Sequence, residues 1–216
     1  MDEQLLRRPS KRRIKRIRIY RSLVGLRQRV LELGCGAGDL TCALAEDGEF
    51  VAGSDLSFES VRSGKARLLR DREEPRKVAF VQMDARALAF ADAAFDVVVS
   101  TSMIEHLYPD DLSGHLSEVW RVLKIGGRYL VWCPNGLGRH RHRDFHYSMF
   151  SYREWMEKMR AAGFGGFESL LFHRPLFRVD AGWKVRLEEF LSRWRLKILW
   201  SHLGVRNVLL LARKEH

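Results

Sequence analysis

A chain of 216 residues is long enough to bury a sizeable core within one domain, and 46% hydrophobic against 30% charged residues excludes a disordered polymer. Thirty-eight Lys and Arg against 27 Asp and Glu give a net charge of +11, which calls for an anionic neighbour: nucleic acid, a phosphorylated substrate or an acidic membrane surface. Cys35, Cys42 and Cys133 form no C-x-x-C pair, no apolar run approaches the roughly 20 residues of a membrane span, and no signal-peptide h-region opens the chain, so a reducing cytoplasm is expected, with peripheral contact to the inner membrane surface left open.

Residues 1–29 read as a basic N-terminal extension, with nine Arg or Lys between Arg7 and Arg21. Ser10 is placed to cap a helix whose partial apolar stripe is Ile14, Ile17, Leu23 and Val24. That helix is expected to pack at the domain edge or to meet RNA or an anionic membrane. Residues 30–216 read as one domain. Its first segment, VLELGCGAGDL from Val30 to Leu40, is a buried strand, a turn through Gly34, Gly36 and Gly38, and a helix opening at Asp39. Strand, glycine turn and helix open a nucleotide-type site in an α/β sheet, because glycine lets backbone and ligand approach closely. The spacing is G-x-G-x-G where a dinucleotide fingerprint has G-x-G-x-x-G, and Asp39 would repel a pyrophosphate at the helix N-terminus. Glu32 adds a second acid. Both suit a cationic ligand without phosphate, such as S-adenosylmethionine, which carries an ammonium and a sulfonium.

Strand and helix then alternate with short connections, the pattern of a parallel sheet covered on both faces. The spacing predicts helix Asp39–Asp47, strand Phe50–Ser54, helix Phe58–Arg70, a charged surface turn Asp71–Lys77, and strands Val78–Met83 and Phe95–Ser100. Helix Asp111–Lys124 carries the stripe Leu112, Leu116, Val119 and Leu123, and Gly126-Gly127 launches strand Arg128–Cys133. A polar loop follows Pro134-Asn135. Ser151 and Glu154 form a capping box for a helix ending at Gly163, before strands Phe167–Phe172 and Asn207–Ala212. Between those strands Trp183–Leu203 reads as a helical insertion, spanning about 176–204 with its connections, whose stripe is Trp183, Leu187, Phe190, Leu191, Trp194 and Ile198. It is expected to pack on its own domain and shape the acceptor pocket, with a membrane-surface role as the alternative.

ELGCGAG resembles the first motif of the class I S-adenosylmethionine-dependent methyltransferases. EVWRVLKIGGRYLV and FSYREWMEKMRAAGF are similar to later segments of the small-molecule, methyltransferase type 11-like subgroup, so the resemblance covers about residues 29–174. It implies a Rossmann-like α/β fold with seven mostly parallel strands in the order 3-2-1-4-5-7-6, the seventh antiparallel, and S-adenosyl-L-methionine as cofactor. It further implies cofactor contacts from Glu32, Gly34, Cys35, Gly36 and Gly38, and from Asp55 at the ribose hydroxyls with Leu56 against adenine. Asp84 and Ala85 would meet the adenine edge, and Ser100 and Thr101 the methionine portion. Taken singly, Asp55 is equally a helix cap and Asp84 a turn residue. At the ends of successive strands they outline one ligand.

For catalysis the candidates are Glu105 and His106 in SMIEHL and His146 in the following loop; His106 is of the residue type most often used as a general base, with a packing role as the bland reading. The ubiquinone-pathway O-methyltransferases carry a similar E-x-x-E-H run associated with a divalent metal, and here Ser102 replaces its first acid. His140 and His142 are interleaved with Arg139, Arg141 and Arg143, which oppose a cation, so no metal is expected and the loop reads as a basic rim for an anionic acceptor. The expected reaction is methyl transfer to a small-molecule acceptor, at oxygen, with lipid-linked and sugar-containing acceptors both in view. An RNA methyltransferase and a non-catalytic protein of the same fold are the alternatives.

Overall fold

The computed structural model describes residues 11–71, 77–137, 145–170, 178–193 and 207–215. Its centre is a sheet whose first four strands, β1 (Arg29–Leu33), β2 (Phe50–Asp55), β3 (Val78–Gln82) and β4 (Phe95–Thr101), are all parallel. Their runs of Val, Leu and Ala are apolar on both faces because helices cover both sides. The connecting helices are α1 (Lys11–Val24), α2 (Asp39–Ala45), α3 (Phe58–Asp71) and α4 (Leu112–Val122).

Strand β5 (Leu123–Pro134) is longer than the sequence predicts at its start. Leu123 pairs with Phe95 and Arg128 with Val97, so Lys124–Gly127 bulges out between them, turning at Gly126 with φ +75°. Helix α4 accordingly ends at Val122, ahead of the expected Lys124. Helix α5 (Tyr152–Ala161) opens on the predicted capping box, Ser151 and Glu154 each serving the other's backbone. It is followed by β6 (Phe164–Leu170), a three-residue strand β7 (Arg178–Asp180), helix α6 (Ala181–Arg193) and β8 (Asn207–Lys214).

The strand order is β3-β2-β1-β4-β5-β8-β6-β7. β8 runs antiparallel between β5 and β6, which is the expected seven-stranded order with β8 in the seventh place. The eighth strand, β7, adds an edge that the sequence did not suggest.

Two parts of the sequence reading change. Helix α1 is built into the domain: its Ile19, Tyr20, Leu23 and Val24 are buried in the core layer on one side of the sheet, and Arg128 donates from both terminal nitrogens to the Leu23 and Val24 carbonyls at the helix end. Ile14 is on the outer face, while Leu23 and Val24 are buried as expected and Ile19 and Tyr20 complete the inward face. Ser10, the predicted cap, lies outside the described residues.

Helix α6 is also turned. Trp183 and Phe190 are 37% and 53% exposed, while Lys184, Glu188 and Leu191 face inward. The reason is polar: Glu188 accepts from the Asn135 amide just past the end of β5 and from the Tyr152 N–H at the start of α5, which draws its side chain inward. Trp194, Ile198 and the rest of the predicted helix to Leu203 lie outside the described residues. Among those described, no helix is long and apolar enough to cross a membrane.

Candidate active site

The carboxyl ends of β1, β2 and β4 meet where the chain order reverses, the position at which open α/β sheets bind ligands. The glycine turn is built by local necessity. Gly34, Gly36 and Gly38 have φ of +72°, +52° and +77°, a region that disfavours any residue with a Cβ. Gly38 also lets Phe80 pack: a Cβ there would stand 2.5 Å from the Phe80 ring. At Gly36 no atom lies within 4 Å of the same position. Gly38 is therefore a packing residue, and Gly36 opens onto free space.

That space is a cavity of about 170 Å³ lined by Arg16, Ile17, Glu32, Gly34, Cys35, Gly36, Asp39, Leu40 and Thr101. Five of the predicted residues, Glu32, Gly34, Cys35, Gly36 and Thr101, are brought together there. Ser100 points to the opposite face of β4, among the residues packed under α4 and α5, and Gly38 lies behind the turn.

Arg16, Asp39 and Leu40 complete the lining. Arg16 is one of nine cations in its stretch, and neither spacing nor residue type separates it from the others.

The charges inside the cavity are unequal. Glu32 is buried and accepts from the Thr41 hydroxyl at 2.5 Å, and Asp39 is paired with Arg67 at 3.0 Å. Among the described residues Arg16 makes no hydrogen bond or ion pair. A cavity with two acids at one side and an uncommitted guanidinium at another suits a zwitterion. The amino-acid end of S-adenosylmethionine, an ammonium and a carboxylate on one carbon, fits this donor set. The Thr101 hydroxyl, buried at the rim facing Tyr20, completes no hydrogen bond in good geometry and is free to turn inward.

The adenosine side is open surface. Asp55 ties the glycine turn to β2, accepting from the Gly36 N–H at 2.9 Å and the Ser57 N–H at 2.9 Å. Each carboxylate oxygen offers two lone pairs, so capacity for a ribose hydroxyl remains. Leu56 beside it is 69% exposed, a flat apolar patch suited to a purine. Asp84 is held by Arg86, whose backbone N–H and guanidinium both donate to it, and the guanidinium holds its carboxyl below the usual carboxylate range. Asp84 is thus fixed in place, and Ala85 follows it half-buried.

Past β4, the three predicted catalytic residues come together from two loops. One ligand-type atom from each of Glu105, His106 and His146 lies within 4.8 Å of the others. The 145–148 segment is pinned there by Tyr147 and Ser148 N–H groups donating to the Glu105 carbonyl, and by the Ser148 hydroxyl donating to the Leu107 carbonyl.

His106 Nδ1 lies 2.8 Å from the Phe145 carbonyl, which only accepts, so Nδ1 carries a hydrogen and, in the neutral ring, the lone pair is on Nε2. Phe145 adopts φ +71° to present that carbonyl, a conformation non-glycine residues avoid unless something holds them. Glu105 is buried, and one of its oxygens has no hydrogen-bond partner among the described residues. Burial pushes its carboxyl up to about 7, against the pull of the His106 and Arg16 charges. Tyr108 and Tyr147 stack at 4.2 Å with both rings exposed beside His106, forming an aromatic rim. Arg139, His140, Arg141, His142, Arg143 and Asp144, the predicted basic rim, lie outside the described residues.

Sheet order, antiparallel β8 and the glycine turn after β1 define the class I methyltransferase fold. Comparison with known proteins agrees. Residues 31–131 match the family model described as a methyltransferase domain. The ubiquinone/menaquinone biosynthesis C-methyltransferase of Yersinia enterocolitica is 37% identical over 121 residues, 54% of this chain and 47% of that protein. A probable S-adenosylmethionine-dependent methyltransferase of Mycolicibacterium smegmatis is 34% identical over 150 residues, 67% of this chain and 55% of that protein. The crystal structure of a Pyrococcus horikoshii protein superposes with a TM-score of 0.69 over the full length of both chains at 20% identity. The fold, and the match over residues 31–131, are those of the class I S-adenosylmethionine-dependent methyltransferases. The chain spans about half the length of the curated relatives it matches.

Proposed function

We propose that the protein transfers the methyl group of S-adenosylmethionine to a small-molecule acceptor, at oxygen, with His106 as the proton acceptor. The observation that carries this reading is the pairing of a zwitterion-matched cavity with a single-tautomer histidine on the adjoining loop. The cofactor supplies a carbon made electrophilic by the sulfonium. What the protein supplies is placement, exclusion of water and a base; alignment of two reacting groups alone is worth roughly 7–11 kcal/mol.

In this reading Arg16 binds the methionine carboxylate, Glu32 and Asp39 face its ammonium, and Asp55 holds the ribose. His106 Nε2 takes the hydroxyl proton. Glu105, buried beside it, stabilises the imidazolium that forms by standing in its ionised form as the counter-charge. His146, edge-on to His106 with ring centroids 5.0 Å apart, restricts the ring's rotation. The stacked Tyr108–Tyr147 pair supports an acceptor with a planar or aromatic portion. Two relatives bear the names ubiquinone/menaquinone biosynthesis C-methyltransferase and demethylmenaquinone methyltransferase, which agrees with a ring-bearing acceptor, the first name specifying carbon as the methylated atom. A lipid-linked acceptor would reach the same rim, and the net charge of +11 suits an acidic membrane surface or an anionic substituent.

The test is calorimetric titration with S-adenosylhomocysteine, followed by incubation with methyl-labelled cofactor and a panel of phenolic, quinol, sugar and RNA acceptors. Binding that is abolished in Gly36→Val, with label entering small hydroxylated compounds, supports the reading. Label entering RNA with a steep salt dependence would replace it with the RNA alternative. No binding by the unaltered protein would remove the cofactor assignment.

A further inference from the structure

Helix α4 carries a polar stripe alongside its apolar one. Asp111 at its start, then His115, Glu118 and Arg121, lie three or four residues apart and so share a face. All four bind the segment after β3. Asp111 accepts from Arg86, the residue that clamps Asp84. Glu118 accepts from the Leu88 N–H at 2.7 Å, and Arg121 donates to the Leu88 and Phe90 carbonyls and to Asp92. His115 takes the Ala85 carbonyl through Nδ1 at 2.8 Å.

His115 differs from the other three in being wholly buried and in having both ring nitrogens committed. The Ala85 carbonyl only accepts, so Nδ1 bears the hydrogen. Nε2 must then accept, and it does so from the Tyr129 hydroxyl of β5 at 3.0 Å. Hydrogen bonding runs in one direction, from the Tyr129 O–H through the imidazole to Ala85. Burial drives the His115 pKa down to about 4, so the ring stays neutral and the chain of bonds keeps its direction at ordinary pH. The neighbouring peptide is fixed as well, with the Ala87 N–H donating to the Asp84 carbonyl at 3.1 Å.

We propose that His115 is a positioning residue for the base end of the cofactor: with Tyr129 it sets the Asp84-Ala85 backbone so that the site distinguishes adenine from a 6-oxo purine. The inference rests on the cofactor reading above. A carboxylate and a backbone N–H can select an amino group over a carbonyl only if both are held within a few tenths of an ångström, because the discrimination comes from leaving polar groups unpaired with the wrong base. On the Asp84 side the clamp is Arg86. On the Ala85 side it is His115.

The experiment measures binding of S-adenosylhomocysteine and of S-inosylhomocysteine, which has a carbonyl where adenine has the amino group, to the full chain and its variants. The unaltered protein is expected to favour the adenine form by about tenfold or more, the yield of one well-placed hydrogen bond. In His115→Phe, which keeps ring volume but leaves the Ala85 carbonyl without a donor, that ratio should fall to within about threefold of unity, the resolution of such a single-bond difference. His115→Gln, which retains an N–H donor, should keep most of it.

A folded His115→Phe protein with an unchanged ratio would make His115 a satisfied core residue and overturn the proposal. Should that variant fail to fold, Tyr129→Phe gives the same reading, since it removes the O–H that donates to Nε2 and holds the ring against the Ala85 carbonyl; an unchanged ratio there is equally fatal. Absence of S-adenosylhomocysteine binding by the unaltered protein would instead strike the cofactor reading on which this one stands.

Discussion

Replacing Arg16 with glutamine tests the cavity directly. The side chain is half-buried and reaches the cavity wall from α1, whose apolar face is locked into the core by Ile19, Tyr20, Leu23 and Val24. It forms no hydrogen bond or ion pair among the described residues, so removing its charge breaks no direct contact in the free protein and withdraws only its longer-range pull on Glu105 and Tyr20. On binding, a guanidinium and a carboxylate make a charge-assisted, two-pronged contact worth about 1.5–3 kcal/mol. Partial exposure argues for the lower half of that range, about 1.5–2 kcal/mol, or roughly 10–30-fold in Kd.

S-adenosylhomocysteine carries the carboxylate and 5′-methylthioadenosine lacks the whole amino-acid end. In Arg16→Gln the Kd for the first should rise about 10–30-fold, and that for the second should move by less than about twofold. Calorimetry on both ligands reads the difference. Equal weakening of the two ligands, or no change in either, would mean that Arg16 meets no carboxylate and that the zwitterion argument fails.

Other positions give independent tests. Gly38→Ala puts a Cβ 2.5 Å from the Phe80 ring at a φ of +77°, so unfolding midpoints in urea should report a loss of about 2–3 kcal/mol with no separate effect on ligand selectivity. His106→Gln should lower kcat by about 10²–10⁴ while leaving the Kd for S-adenosylhomocysteine unchanged, the pattern of a lost base; a parallel loss of binding would assign His106 to packing. Glu188 has a folded pKa raised to about 7 by burial, so the folded state retains a proton that the unfolded chain releases above about 4.5, and ionisation weakens the fold as pH climbs through that window. The stability of Glu188→Gln relative to the unaltered protein should therefore grow between pH 5 and pH 8, by about 1–3 kcal/mol, and a flat difference would refute the assignment. His115 has the opposite sign: its folded pKa lies near 4, below the unfolded value of 6.5, so its share of stability is present at neutral pH and lost as pH falls from about 6.5 toward 4, a slope that His115→Phe should lack.

The parts of this protein that were legible in its sequence are those determined by neighbours along the chain. The strand, glycine turn and helix at Val30–Leu40, the Ser151–Glu154 box and the buried run of β4 each follow from backbone conformation or from a short period. The acids at strand ends could be read because the fold turns sequence order into spatial order along one edge of the sheet. Arg16, His115 and Glu188 could not. Each is a polar residue turned inward by a partner that is distant in sequence: a cavity wall, the Ala85 carbonyl, the Asn135 amide. A reading that sends apolar stripes to the core and polar residues to water fails at such positions, and it misoriented α6 for the same reason.

That shared failure says where the site's rigidity comes from. Glycine and acidic stations on β1, β2 and β3 offer contacts, but none of these loops is held in place by its own residues alone. α1 brings a cation to the cavity wall, and it is anchored there from β5 by Arg128. α4 holds the segment after β3 through His115, with Tyr129 of β5 behind it. The loop after β4 is pinned by the segment leading into α5, and α5 and α6 are tied to the end of β5 through Asn135 and Glu188. β5 contributes no residue to the cavity, yet Arg128 and Tyr129, with Asn135 just past its end, hold the helices and loops around the site. Substitutions at those three positions should therefore disturb ligand affinity from a distance, each at a different end of the ligand: Arg128→Met at the carboxylate, Tyr129→Phe at the base, Asn135→Leu at the acceptor. Titrating the three variants with S-adenosylhomocysteine, 5′-methylthioadenosine and an acceptor would separate them, and a uniform loss across all three ligands would show that β5 supports the fold without dividing the site.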